Sequence, residues 1–305
     1  MYTIKGALRV FVKIIISVVV ATFITFLCVD ILPGDSATFL SGMSGTEEIE
    51  RGDTITFMQR YGQWLGAFVK GDFGYSEIYG LEVGDIVWER LKITFPLAFI
   101  SLCISVVFGV ILGTINVVFT GRIIQKISSA IVLIALATPV VWFGIFGIYI
   151  FSIFWNFLPS GGADGWQSYI LPSLALGLTQ GAIFSRYVRS ALQDIEHKDF
   201  IHFACLKGAS KMGAYIKYGL PSVAGALLGI IGLQMGFLMT GVVVVEHIFV
   251  MPGLGDLLYQ SMLSRDVSVA SSVASVMVMI VVLVNVCIDV LAYAITPILR
   301  RGYDA

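Results

Sequence analysis

Five stretches of this chain contain no Asp, Glu, Lys or Arg: Ile93 to Gly121, Ile127 to Ala163, Gly165 to Ser185, Tyr218 to Val245 and Val267 to Ile288. Each reaches the roughly 20 residues that a helix needs to cross the hydrocarbon of a bilayer. A further apolar run covers residues 10 to 32, with Lys13 close enough to its start to snorkel to the interface. Only structures that satisfy every backbone group internally can stand in lipid, so runs of this length are read as helices. The sequence therefore predicts an all-α, polytopic membrane protein with six transmembrane helices. Its 57% hydrophobic and 13% charged residues exclude an ordinary soluble domain.

The first run could instead be a cleaved signal peptide. Its apolar part exceeds the roughly 7–15 residues of a signal core, and Leu32-Pro33-Gly34-Asp35 is no small-residue cleavage site. It is taken as an uncleaved helix, giving a first unit of residues 1–32. Residues 33–92 form the one long polar segment, carrying ten acidic and five basic residues. Within it, Phe57 to Lys70 suits a short amphipathic helix at the membrane surface, with Tyr61 and Trp64 as interface anchors. A five-helix core of residues 93–298 and a tail of residues 299–305 complete the division.

Six spans put both termini on one side, and the positive-inside rule decides which. Lys5, Arg9, Lys13, Arg122, Lys126, Arg186, Arg189, Lys198, Lys207, Lys211, Lys217, Arg300 and Arg301 would lie inside, 13 of the 19 basic residues. The termini and the Asp199 to Pro221 segment are thus expected in the cytoplasm and residues 33–92 outside.

Asp199 to Pro221 is a soluble-looking bend between two apolar runs. Phe200, Phe203 and Ala204 recur at helical spacing, as do Met212, Tyr215 and Ile216, which predicts two short helices with apolar faces. Gly208 would hinge them as a left-handed closing residue, Ser210 would cap the second, and Pro221 would open the next span.

Inside the spans a few residues invite a choice between packing and pathway. Gly109 and Gly113, and Gly225, Gly229, Gly232 and Gly236, supply small-residue steps that allow close helix approach. Gln180, Gln234, Thr240 and Asn285 are polar groups at membrane depth, which must find helix partners or line a passage. Pro139 is expected to bend the third span and Pro172 to begin the fourth. Glu246 and His247 close the fifth span, where they either contact an arriving molecule or sit as a solvated helix end. His197 and His202 lie across the membrane from His247, so no three-ligand metal site is drawn from them. Cys28, Cys103, Cys205 and Cys287 are scattered and read as small apolar fillers. There is no basic patch for nucleic acid.

The bend resembles the cytoplasmic coupling loop of ABC-importer permeases, whose pattern is Glu-Ala-Ala, three residues, Gly, nine residues, Ile, one residue, Leu-Pro. Ala204, Gly208, Leu220 and Pro221 fall on it, while His202, Phe203 and Tyr218 depart from it. Glu246, Phe249, Pro252, Gly253, Leu254 and Gly255 are similar to the Glu-x-x-Phe-x-x-Pro-Gly-Leu-Gly signature of the peptide/nickel branch. Lys70 to Ser76 and Leu158 to Gly161 match further landmarks of that branch, in the same order along the chain.

The resemblance implies the first of two homologous permeases in a type I importer, carrying peptides or else nickel, a chelate, glutathione or another small solute. It implies an external solute-binding protein and two cytoplasmic ATPase subunits, coupled through Phe200, Phe203, Ala204, Lys207, Gly208, Met212, Tyr215, Leu220 and Pro221. No phosphate-binding Gly-x4-Gly-Lys-Ser/Thr loop is present, so ATP and magnesium are expected on the partners and no cofactor on this chain. An ion-coupled carrier would show intramembrane charges, and an intramembrane enzyme would show matched catalytic groups. The charge-free cores favour neither.

Overall fold

A computed structural model describes residues 15–20, 22–27, 57–76 and 78–295. The expected chain start, residues 33–56 of the first polar segment and the tail lie outside the described residues. Helices α1 (Ile15–Leu27) and α2 (Phe57–Val69) are followed by a small antiparallel hairpin of β1 (Tyr75–Ser76) and β2 (Leu81–Glu82). Helix α3 (Val83–Val118) leads to α4 (Ile123–Ala137) and α5 (Val140–Gly147), which runs on as a π-helical segment, Ile148–Phe154. A 3₁₀ turn (Trp166–Tyr169) opens α6 (Ile170–Gln193). The bend holds α7 (Asp199–Leu206) and α8 (Lys211–Ala214), and α9 (Leu220–Ile248), α10 (Leu254–Leu263) and α11 (Val267–Ile295) complete the chain.

Among the described residues, three helices are long and apolar enough to cross a membrane, or four if α4 and α5 count as one broken span. The core is a bundle in which α3 lies along α6. Glycines on both helices make that approach possible. A Cβ on Gly113 would stand 2.7 Å from Val188, one on Gly109 2.7 Å from Phe184, one on Gly177 2.6 Å from Ile104 and one on Gly181 2.9 Å from Phe108. Gly109 and Gly113 therefore serve packing within this chain. Asn116 ties α4 to α3 near one end, donating to Ser128 Oγ at 3.0 Å and accepting from Ser129 Oγ at 2.6 Å.

Several sequence expectations are revised. Helix α3 starts at Val83, ten residues before its apolar run, so the last part of the 33–92 segment is helical. At 36 residues it is about 54 Å long, well beyond a hydrocarbon core of about 30 Å, yet its first turns stay packed in the bundle through Val83, Ile86 and Val87. Pro139 does more than bend the third span: α4 and the α5 segment meet at 99°. Tyr61 and Trp64 are not surface anchors. Tyr61 is buried, its hydroxyl donating to Val19 O at 3.1 Å, and the two rings join Phe23, Phe26 and Phe68 in an aromatic stack that holds α2 on α1. Pro172 sits in the first turn of α6, as expected.

Candidate functional site

The bend is built as the sequence implies at its joint. Gly208 has φ +90°, Ala209 N donates to Ala204 O at 3.1 Å and Gly208 N donates to Cys205 O at 3.0 Å. These two bonds are the Schellman closure of α7, which needs a left-handed residue where Gly208 stands. Ser210 then caps α8, its Oγ accepting from Gly213 N at 3.1 Å.

Beyond the joint the structure departs from two separate helices. Residues Lys211 to Ile248 form one continuous helical rod, with a π turn at Tyr215–Gly219 between α8 and α9. The wider turn is the natural accommodation of Pro221, which lacks a donor and crowds the carbonyl four residues before it. The second half of the bend is therefore welded to a bundle helix.

The apolar residues of the bend divide into two faces. Ile201 and Ala204 of α7 are buried, and Tyr215 is wholly enclosed among Val118, Leu192, Ile195 and Val223, with Met212 and Leu220 packed against the same cluster. Phe200, Phe203 and Leu206 point outward, Phe203 and Leu206 at 60% and 69% exposure, beside exposed Lys207. Ile216 and Tyr218 are exposed as well. Thus Ala204, Met212, Tyr215 and Leu220 anchor the bend to α3, α6 and α9, and Phe200 and Phe203 with Leu206 offer the free surface. Lys211 reaches Glu196 Oε1 at 2.9 Å, a half-exposed bridge that braces α8 against the end of α6.

At the opposite end of the bundle the 246–255 signature forms a lock. Glu246 is fully buried; its carboxylate accepts from Thr94 Oγ1 at 2.5 Å, Gly255 N at 2.7 Å and Asp256 N at 3.1 Å. Thr94 Oγ1 in turn accepts from Leu254 N at 2.7 Å. One carboxylate and one hydroxyl thereby satisfy the free N–H groups that open α10 and pin it to α3 and α9. Gly253 leaves room for the carboxylate, since a Cβ there would overlap it, and a Cβ on Gly255 would come within 2.5 Å of Val243 Cα. Pro252 precedes this turn.

Phe249 is buried against Gly144, and its carbonyl accepts from Gly162 N at 2.9 Å, while a Cβ on Gly161 would overlap that carbonyl. Glu246 is thus neither a solvated helix end nor a contact for an arriving molecule. His247 is half exposed, with Nδ1 3.1 Å from Asp256 Oδ1 and its ring over Tyr259.

The 70–76 landmark is a second clamp at this end. Gly71 and Gly74 both have φ +84°, Ser76 Oγ donates to Asp266 Oδ2 at 2.5 Å, and Ser272 Oγ donates to Phe73 O at 3.1 Å. Asp266 also accepts from Val269 N at 3.1 Å as the cap of α11. Thr94 and Asp266 were not singled out from the sequence because their partners Glu246 and Ser76 lie far away in the chain; Ser76 entered only as the last residue of the 70–76 landmark, and Asp256 was passed over just beyond the signature.

The four intramembrane polar residues do not share one surface. Gln234 is buried, its Nε2 donating to Gln180 O at 2.9 Å, which joins α9 to α6. Asn285 donates to Val281 O at 3.0 Å and lies against Gly232, two residues and so about 200° round α9 from Gln234. Thr240 is exposed. It belongs to a stripe along α9 with Ser222, Ala226, Gly229, Leu233, Phe237 and Val244, none of them covered by this chain. Nothing lies within 4 Å of a Cβ placed on Gly229 or Gly236.

Residues 105–301 match the family model described as "Binding-protein-dependent transport system inner membrane component". The chain is 32% identical over 287 residues to the glutathione transport system permease protein GsiC of Shigella flexneri serotype 5b (strain 8401), covering 92% of this chain and 94% of that protein. The GsiC of Escherichia coli (strain K12) shows the same identity and coverage. In shape the chain is similar to solved chains of the inward-facing MetNI methionine ABC transporter. One matches with TM-score 0.54 at 23% identity and another with 0.52 at 24%, each covering 77% of this chain and 98% of the other. The long apolar helices, the clamped signature and these likenesses agree, and the chain belongs to the family of binding-protein-dependent inner-membrane permeases of ABC importers.

Proposed function

We propose that this permease is the first of two homologous subunits that together form the pathway of an importer for short peptides, glutathione among them. The likeness to glutathione permeases supports that cargo class over nickel or a chelate. The chain spans the membrane six times with the bend and both termini in the cytoplasm and residues 33–92 outside. Two ATPase subunits, which bind ATP and magnesium, dock on the bend, and an external solute-binding protein delivers cargo at the signature end. This chain performs no chemistry of its own.

The observation that carries the reading is the free face of α7. Phe200, Phe203 and Leu206 are exposed on a short helix whose other face is anchored, a preformed knob for a hydrophobic groove on an ATPase. Its motion reaches the bundle without slack, because α8 continues into α9. The exposed stripe of α9, including Thr240, faces the second permease across the pathway, while Gln180, Gln234 and Asn285 lie where α9 meets its neighbours on the two flanks of that stripe. The test is uptake of labelled glutathione and of a labelled dipeptide by cells lacking their own permeases and expressing this chain with its neighbouring transport genes. Uptake that needs ATPase co-expression is expected; uptake by the chain alone would contradict the reading.

A further inference from the structure

Helix α4 covers the seam between α3 and α6 only in part. Val132 and Ala135 pack there with Leu112 and Ala182. At Pro139 the chain swings away by 99°, and the remainder of the seam stays open as a cleft of about 650 Å³. Ile100 and Ile104 of α3 and Ile170 and Leu174 of α6 line it at membrane depth, and Asp164 and Trp166 border it from the loop that precedes α6. Asp164 is the one charged residue of the lining.

The direction of the opening limits what can fill it. Leu174 lines the cleft, whereas Leu176, two residues on, is buried where α6 meets Gly241 of α9. Two residues are about 200° of turn, so the cleft opens on the side of α6 away from α9 and its exposed stripe. Around it the surface is apolar, with Phe95 and Phe99 of α3 more than half exposed. A surface of that kind at that depth faces lipid.

We propose that the cleft is a binding site for a phospholipid whose headgroup carries a primary ammonium, with the ammonium on Asp164 and an acyl chain along Ile100, Ile104 and Leu174. The order of groups matches the lipid's own: charge first, then an aromatic ring of the kind enriched at the interface, then hydrocarbon. A carboxylate at the edge of hydrocarbon repels a purely anionic headgroup and attracts a cationic one. A primary ammonium can also donate hydrogen bonds to that carboxylate, which a quaternary amine cannot. A lipid held here would fill the gap that the broken span leaves against α3 and α6. In the orientation proposed above it belongs to the outer leaflet, but the site itself does not depend on how transport is driven.

The test uses the full chain in nanodiscs with diazirine-tagged phosphatidylethanolamine or phosphatidylglycerol, followed by mapping of the labelled peptides. The ethanolamine lipid should label the segments holding Ile100, Ile104 and Leu174 in preference to the glycerol lipid. Asp164→Asn should reduce that preference by roughly fivefold, the upper range for a single partly exposed ion pair. Ile100→Trp adds bulk into open space and should suppress labelling by both probes without changing the melting temperature. Equal labelling by the two lipids, or labelling that ignores both substitutions, would overturn the proposal. So would a disulfide cross-link from a cysteine at position 174 to a second permease in the assembled complex.

Discussion

Glu246 shows how much one side chain can organise. Its carboxylate receives three donors inside a region closed to solvent, from Thr94, Gly255 and Asp256. Glu246→Ala leaves those donors without an acceptor, and a buried donor left unsatisfied costs about 1–3 kcal/mol. A fall in melting temperature of several degrees in detergent is expected, and Gly253→Ala should produce a similar fall because its methyl overlaps the carboxylate.

Gly208 is a different kind of residue, with open space around it and a backbone angle that penalises any side chain. Gly208→Val strains the joint by about 1–2 kcal/mol but touches no packed group. The bundle should melt almost normally while ATP hydrolysis by the assembled transporter no longer drives uptake, a dissociation read by measuring both rates in the same proteoliposomes.

At the scale of elements, the same residue type does opposite work on two helices. Gly109 of α3 has Phe184 and Gly181 O within 3.0 Å of where a Cβ would stand, so Gly109→Leu overpacks the seam and should abolish stable expression. Gly229 of α9 has nothing within 4 Å, so Gly229→Leu should leave the isolated chain's melting temperature unchanged yet weaken assembly with the second permease, measured by co-purification.

The sequence announced both glycine steps but not their different partners, because spacing defines a helix face and not what covers it. Gly208 and Ser210 were legible in detail, since caps and turns depend on residues a few positions apart. Tyr61, Trp64 and Glu246 were misjudged for the converse reason. Each has an amphipathic or charged side chain that looks superficial until a distant segment encloses it, as α1 does for Tyr61 and as α3 and α10 do for Glu246. The continuity of α8 with α9 was hidden by Pro221, which ordinarily marks a helix start and here sits just past a π turn.

For the whole molecule, the two ends of the bundle have contrasting construction. The signature end is clamped at Glu246, Phe249, Ser76 and Asp266, and it joins α3, α9, α10 and α11 into one body. The bend end carries a free apolar face on a short helix, with its anchored side leading directly into α9. A rigid far end and a lever at the near end are what a permease needs if force applied at one side is to reorient helices around a central pathway.

The most direct test places a cysteine at position 203 in the assembled, reconstituted transporter and asks what it touches. The account predicts that the thiol is reached by membrane-impermeant maleimide only from the cytoplasmic side, is shielded once ATPase subunits bind, and forms a disulfide with a cysteine in an ATPase surface groove. Labelling from the outer side, or unchanged labelling with and without the ATPase, would contradict it.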